Sequence, residues 1–406
     1  MRKVFIAFAF FALGSCLSES SVKPGSSSTF IRYFSGGNND VAQAMEIAPD
    51  GGFIILATTR IQKAESDIPN FKIKLIKTDP LGNPVWQMLY PAVDVKDKNY
   101  TAGAIQIIPS GGYVITGDDI QANGTIKALL MTVDDIGGLT KSASYNTSTG
   151  QTVRGKAVAV NAAGNFLVLS TSGNDKMYLT EIDKNTFQSV IPNPVEYAAG
   201  QTNLSNRLLI DELGKAVWSG VVTKSGLTGI RLIKTTPNSI NTDFDLLISI
   251  PGFNEVGKDF CKYGLGYALT GSTNQKNGVA TPGTDTDILF KRLSSDGTVL
   301  SSTSFPIENQ NDEGNSISTT LDGGLILLSS ANSAGIAGRG DTDFYLIKIN
   351  AFGDKTWTSA FGSKFKDEGV TVRQTSDSGY VVLGTTTQGS LKIITLLKTD
   401  KNGKIE

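Results

Sequence analysis

The chain has 406 residues, with 37 basic side chains against 38 acidic ones and no histidine. That balance argues against a nucleic-acid partner, which would require a basic stripe. The missing imidazole rules out Ser-His-Asp and Cys-His nucleophile pairs and every metal site that needs a histidine ligand.

At the start of the chain, Arg2 and Lys3 precede an unbroken apolar run over residues 4–13. Such a run matches the apolar region of a secretory signal peptide and is too short to cross the ~30 Å hydrocarbon core of a bilayer. Leu13-Gly14-Ser15-Cys16 follows, and it resembles the lipobox of bacterial lipoproteins. The resemblance implies removal of residues 1–15 as a signal peptide and a Cys16 that carries a thioether diacylglycerol and an acylated amine. Three acyl chains anchor stably, since one is marginal and two already suffice. Residues 16–28, rich in serine with Pro24 and Gly25, are expected to form a flexible tether. Leu17 stands where enterobacterial lipoproteins kept at the inner membrane carry Asp, so the outer membrane is the expected address in a Gram-negative cell. With Cys16 lipidated, Cys261 has no cysteine partner, and its apolar strand pattern reads as a small buried hydrophobe.

Beyond the tether, a turn-then-strand unit recurs. It reads Asp50-Gly51-Gly52-Phe53, Ser110-Gly111-Gly112-Tyr113, Ala163-Gly164-Asn165-Phe166, weakly Leu213-Gly214-Lys215-Ala216, then Gly266-Tyr267, Asp322-Gly323-Gly324-Leu325 and Asp377-Ser378-Gly379-Tyr380. A second unit follows each, clearest in Leu75-Ile76-Lys77-Thr78-Asp79-Pro80-Leu81-Gly82 and in Leu396-Leu397-Lys398-Thr399-Asp400-Lys401-Asn402-Gly403. The marker positions 52, 112, 165, 215, 266, 324 and 379 are 50 to 60 residues apart. A period near 50 made of short strands and tight turns predicts an all-β, seven-bladed propeller of four-stranded blades over residues 29–406. In the first repeat the expected strands are residues 44–48, 53–58, 72–78 and 84–90, and no helix is expected anywhere.

The ring closes through the two ends. Blades 1 and 6 carry aromatics four apart in their outer strand, Trp86 with Tyr90 and Trp357 with Phe361, whereas the seventh repeat stops before such a strand. Phe30 and Phe34 have the same spacing, so residues 29–34 are expected to supply the missing outer strand of the last blade. The pattern Asp-Gly-Gly-aromatic, Leu-Ile-Lys-x-Asp-x-x-Gly, Trp-x-x-x-Phe-Gly resembles the repeat family of secreted β-propeller proteins common in Bacteroidota. The resemblance implies the fold and carries no catalytic residue with it.

One face of such a ring holds tight turns, and the other holds unequal loops, longest over residues 60–70, 273–286 and 330–342. Irregular loops on a regular scaffold are where binding usually resides. Acids recur at the entry to the inner strands: Asp40, Glu255, Asp312 with Glu313, and Asp367 with Glu368. Around one axis they would form a partial acidic ring at the channel mouth, a cation or amino-sugar site. The alternative is that each accepts backbone N–H groups within its own blade. Arg154 occupies the matching place in blade 3 and interrupts the ring. Asp285 with Asp287, and Asp341 with Asp343, are candidate ligands for a Ca²⁺ ion, although no twelve-residue calcium loop surrounds either pair. Arg339-Gly340-Asp341 spells an integrin-like triplet of a kind that arises often by chance. The expected function is a non-catalytic, membrane-anchored binding or scaffold protein that meets an envelope protein, peptide or glycan through the long-loop face and requires no cofactor. The competing expectation is a carboxylate- or metal-dependent polysaccharide lyase or hydrolase at the acidic mouth.

Overall fold

The computed structural model describes residues 29–61, 70–92, 98–146, 152–173, 176–192, 194–197, 201–276, 282–307, 311–331 and 342–405. The expected signal peptide, Cys16 and the tether lie outside them. Twenty-eight strands form seven antiparallel four-stranded sheets, and the described residues contain no helix. A short strand β1 (Phe30–Phe34) comes first. Blade 1 is β2 (Asn39–Ile47), β3 (Phe53–Ile61), β4 (Asn70–Thr78) and β5 (Pro84–Tyr90). Blade 2 is β6 (Asn99–Ile107), β7 (Tyr113–Ile120), β8 (Ile126–Val133) and β9 (Leu139–Tyr145), and blade 3 is β10 (Val153–Val160), β11 (Phe166–Ser172), β12 (Met177–Ile182) and β13 (Val195–Tyr197). Blade 4 is β14 (Gln201–Ile210), β15 (Ala216–Lys224), β16 (Leu227–Thr235) and β17 (Thr242–Leu247). Blade 5 is β18 (Glu255–Tyr263), β19 (Gly266–Thr273), β20 (Asp287–Leu293) and β21 (Val299–Phe305). Blade 6 is β22 (Glu313–Thr319), β23 (Leu325–Ala331), β24 (Asp343–Ile349) and β25 (Lys355–Phe361). Blade 7 takes three strands from the end of the chain, β26 (Lys366–Gln374), β27 (Tyr380–Gln388) and β28 (Leu391–Thr399), and β1 as the fourth.

Period-two alternation divides each second strand between two neighbours. Phe53, Ile55 and Ala57 pack toward blade 7 with Val381, Leu383 and Ile394. Ile54 and Leu56 pack the other way, with Tyr113, Ile115 and Leu129 of blade 2. Seven apolar clusters result, one between each pair of adjacent blades around the ring. Trp218 is fully buried in the cluster between blades 3 and 4, edge-on to Tyr197 at 4.9 Å. Cys261 is buried between blades 5 and 6, and burial pushes its thiol up to about 12.

The closure matches the expectation from the ends of the chain. β1 pairs antiparallel with β28, with Phe30 opposite Lys398 and Phe34 opposite Ile394. Phe30 also lies under the turn after β4, where a Cβ on Gly82 would come within 2.6 Å of its ring. Trp86 packs the same way under Gly137 of blade 2, and Trp357 under Gly403 of blade 7. These glycines have φ of +76°, +86° and +69°. Each turn therefore needs glycine twice over, for its left-handed backbone and for the aromatic ring beneath it. The inner strands differ from expectation, since β2 starts at Asn39 rather than residue 44. A bulge between Ala42 and Ala44 separates its two halves, and bulges at the same place in blades 2, 3, 5, 6 and 7 make this a feature of the repeat.

Candidate functional site

Connections between first and second strands and between third and fourth strands form one face of the ring. Most are short and share one geometry, as in Gly82 N–H to the Asp79 carbonyl at 3.1 Å and Gly403 N–H to the Asp400 carbonyl at 3.1 Å. The exception is blade 3, where twelve residues (183–194) join the third and fourth strands. The opposite face holds the second-to-third connections, which range from two residues (225–226 in blade 4 and 389–390 in blade 7) to thirteen (274–286 in blade 5). Blades 5, 6 and 1 carry the longest, so around the ring they bracket the two-residue turn of blade 7. Much of these long loops, including residues 62–69, 277–281 and 332–341, lies outside the described residues.

The recurring acids lie within or immediately before the inner strands, and the four central ones are buried: Asp40, Glu255, Asp312 and Asp367. Asp40 meets Lys74 of its own blade at 2.7 Å. Glu255 meets Lys291 at 3.0 Å, with both side chains fully buried, and accepts the Ile250 N–H at 3.1 Å. Asp312 accepts the Ile307 N–H at 3.0 Å, and burial pushes its carboxyl up to about 7 against that bond. Asp367 accepts the N–H and hydroxyl of Ser363, at 2.7 and 2.9 Å, and the hydroxyl of Thr386. The outer two face solvent in part: Glu313 pairs with Lys258 at 2.8 Å and Glu368 with Lys366 at 2.7 Å. Glu255, Asp312 and Asp367 thus tie the chain entering a blade to that blade, and Asp40 ties β2 to β4. Arg154 pairs with Asp118 of blade 2.

An adjacent asparagine works between blades. Asn39 and Asn99 open their inner strands, and Asn254 and Asn311 stand just before theirs. They accept N–H groups of Lys392, Phe71, Thr228 and Thr286, at 2.9 to 3.0 Å, from the third-strand segment of the preceding blade. In blades 1, 5 and 6 the Asn-acid dipeptide (Asn39-Asp40, Asn254-Glu255, Asn311-Asp312) therefore performs two joins, one to the preceding blade and one within its own, while in blade 2 Tyr100 follows Asn99.

Of the paired aspartates, Asp341 and the triplet at 339–341 lie outside the described residues. Asp343 is buried at the start of β24. Between Asp285 and Asp287 sits the Lys276 ammonium, 3.0 Å from Asp285 and in contact with Asp287. This lysine holds the Asp285 carboxyl below the usual range. A cation placed between the two carboxylates would meet the ammonium. Among the described residues, no group of three or more His, Cys, Asp or Glu side chains is placed to hold a metal ion.

Sequence reasoning did not find the residues on the axis. The inner strands of all seven blades converge on a cavity of about 150 Å³, lined by Gln43, Glu46, Gln106, Arg207, Lys258, Asp259, Asn315 and Arg373 among others. Glu46 and Arg373 approach to 3.5 Å. Asp259 of blade 5 accepts the Ser316 hydroxyl and the Ile317 N–H of blade 6, both at 3.0 Å. Burial works against the charge of Arg207, but Asp259 and Glu46 hold its guanidinium more firmly charged than usual. The available signal was a charged residue inside several apolar inner-strand patterns, such as Glu46 between Met45 and Ile47 and Arg373 after Val372.

No protein-family model and no curated protein matches the chain. Similar solved structures include the polysaccharide lyase Uly1, at 11% identity over 89% of this chain and 90% of that one, with a TM-score of 0.53. A protein of unknown function from Dyadobacter fermentans is 9% identical over 91% of this chain and 97% of that one, with a TM-score of 0.53. A puromycin hydrolase is 10% identical over 90% of this chain, which spans 54% of the hydrolase, with a TM-score of 0.54. At such identities the likeness is one of fold.

Proposed function

We propose that this protein is a non-catalytic, lipid-anchored binding or scaffold protein of the bacterial envelope, which engages a protein, peptide or glycan partner through its long-loop face. The observation that carries this reading is the contrast between the two faces. Apart from the 183–194 connection of blade 3, the turn face keeps to short turns, while the opposite face departs from the repeat in blades 5, 6 and 1. A repeat scaffold that keeps its turns and varies its loops concentrates specificity in those loops.

The acids also fit a structural use better than a chemical one. General acid–base work needs two carboxylates converging on a substrate. Here Asp40, Glu255, Asp312 and Asp367 each answer to a partner in the same blade or in the chain leading into it. On the axis, Asp259 is occupied by Ser316 and Ile317. The lyase among the similar structures contributes its fold and no chemistry at this distance.

The test is a pull-down from detergent-solubilised envelope with the lipidated, tagged protein, followed by mass spectrometry and a glycan array. A stoichiometric protein or a defined glycan, lost when residues 274–286 are replaced by a two-residue turn, is the expected result. Depolymerisation of a polysaccharide by the intact chain, abolished in Asp259→Asn, would overturn the reading in favour of the enzyme.

A further inference from the structure

Six large apolar side chains among the described residues are more than 70% exposed: Ile136, Leu213, Ile240, Leu265, Leu321 and Phe352, at 72 to 88%. All six sit in short turns of one face, distributed over blades 2, 4, 5 and 6, and the half-exposed Leu81 adds blade 1. A single exposed leucine would mean little, because apolar atoms make up more than half of any protein surface. Confinement of every such residue to one face is a different matter, since the described part of the long-loop face has none.

The chain also enters the propeller on this face. Phe30 pairs with Lys398 at the turn end of β28, and its ring lies under the turn that holds Gly82. Thr29 therefore stands at the turn face, and residues 17–28 connect it to Cys16. A flexible segment of that length has a root-mean-square span of about 20 Å. A nine-residue strand is itself roughly 30 Å long, so a tether of this kind favours the near face over the far one.

We propose that the turn face is the membrane-facing side of the anchored protein, with its apolar tips seated in the headgroup–acyl boundary of a zwitterionic bilayer. The proposal rests on acylation of Cys16 and deepens the binding reading, because it points the long-loop face away from the membrane and toward partners. Tips scattered over five blades make no single groove for a protein ligand, but they meet a flat, fluid surface together. Carboxylates stand among them, such as Asp79, Asp134 and Asp400, which accept turn N–H groups at Leu81, Ile136 and Asn402. Those charges disfavour an anionic lipid surface and leave insertion to the apolar tips.

The test uses the acylated full chain in phosphatidylcholine vesicles. It carries one introduced cysteine, Leu265→Cys on the turn face or Lys364→Cys on the exposed opposite face, labelled with an environment-sensitive fluorophore. Cys261, 5% exposed, stays unlabelled. Lipid-borne quenchers are expected to reach the Leu265 label about tenfold more effectively than the Lys364 label, as insertion of ~5–10 Å requires. Anionic lipid should reduce the difference. Combining Leu213→Ser, Leu321→Ser and Phe352→Ser should lower quenching of an Ile136→Cys label, with an unchanged melting temperature reporting an intact ring. Equal quenching of both labels on a protein whose Cys16 is acylated, by peptide mass, overturns the orientation and leaves the anchor standing. An unacylated Cys16 removes the anchor, and quenching at Leu265 on added vesicles then decides whether the face binds lipid by itself. A blue shift of the Leu265 label that needs protein concentration and no vesicles overturns the proposal in favour of a second copy of the chain.

Discussion

Asp50 and Lys77 lie 27 residues apart and belong to different halves of the repeat, yet they meet at 2.7 Å. Asp322 with Lys348, at 2.9 Å, and Asp377 with Lys398 repeat the pair. The Asp-Gly-Gly turn and the Leu-Ile-Lys strand are therefore two sides of one contact. Blade 4 keeps it with Asp211 in place of the usual turn residue, 2.7 Å from Lys234. Blade 2 has lost the lysine, and Asp135 from the neighbouring turn holds the Gly112 N–H at 2.7 Å. Blade 3 reverses it: Glu181 on the strand accepts from Asn161 and Asn165 in the turn, both at 2.8 Å. Burial pushes the Asp322 carboxyl up, but the Thr320 hydroxyl, Lys348 and the Gly324 N–H outweigh it and set the value at about 2. A carboxyl depressed in this way stabilises the fold above its unfolded value near 4, and that contribution is lost as pH falls through about 2. Lys348→Met should cost about 1 kcal/mol or less at pH 7, because the Asp322 side chain is 61% exposed. It should also flatten the loss of stability between pH 4 and 2, as read from urea midpoints. Parallel pH curves for variant and parent would remove Lys348 from the account. The motifs themselves were legible in sequence, but the reason they travel together was not, since only the hairpin register brings them within reach.

Strand ends were the weaker part of the sequence reading. Asn39 and Asp40 read as loop residues because polar side chains rarely begin a buried strand. They lie in one because their partners, Lys392 N–H and the Lys74 ammonium, come from elements 353 and 34 residues away. The outer strands were easier, since the pair spacing of Phe30 and Phe34 repeats that of Trp357 and Phe361. Closure through β1 gives a direct expectation. Phe30 is 6% exposed and packs in the cluster shared by blades 7 and 1. Phe30→Ala should cost about 3 kcal/mol, the low end for a buried phenylalanine, because the site lies near the rim. Gly82→Ala attacks the same contact from the other side, placing a Cβ 2.6 Å from the ring in a backbone with φ +76°. In thermal or urea unfolding the double variant should therefore lose less than the sum of the singles. Strict additivity would mean that Phe30 and Gly82 stabilise the ring independently, and the latch would then be misassigned. Deleting residues 29–34 should destabilise more than either variant.

For the molecule as a whole, seven blades with seven similar interfaces leave no position in the ring privileged except the junction of blades 7 and 1, which only β1 secures covalently across. The blade count was readable because glycine turns punctuate the chain. The axial cavity was not, because Glu46, Arg207, Asp259 and Arg373 come from four blades and share only a direction toward the axis. The difference between the faces follows from connection lengths, the 183–194 connection of blade 3 excepted, and it orders the functional reading: mostly tight turns and chain entry on one side, variable loops on the other. That order depends on Cys16. Replacing it with Ser should shift the protein from the membrane fraction to the soluble fraction of an expressing cell. The melting temperature should stay unchanged, since the strands that build the blades begin at Phe30. The turn tips do not blur this outcome. Contacts made by single side chains at an interface exchange and are diluted away by washing, whereas a multiply acylated residue remains. Retention of Cys16→Ser after repeated washing would therefore contradict the lipid anchor, and with it the tether geometry that orients the turn face.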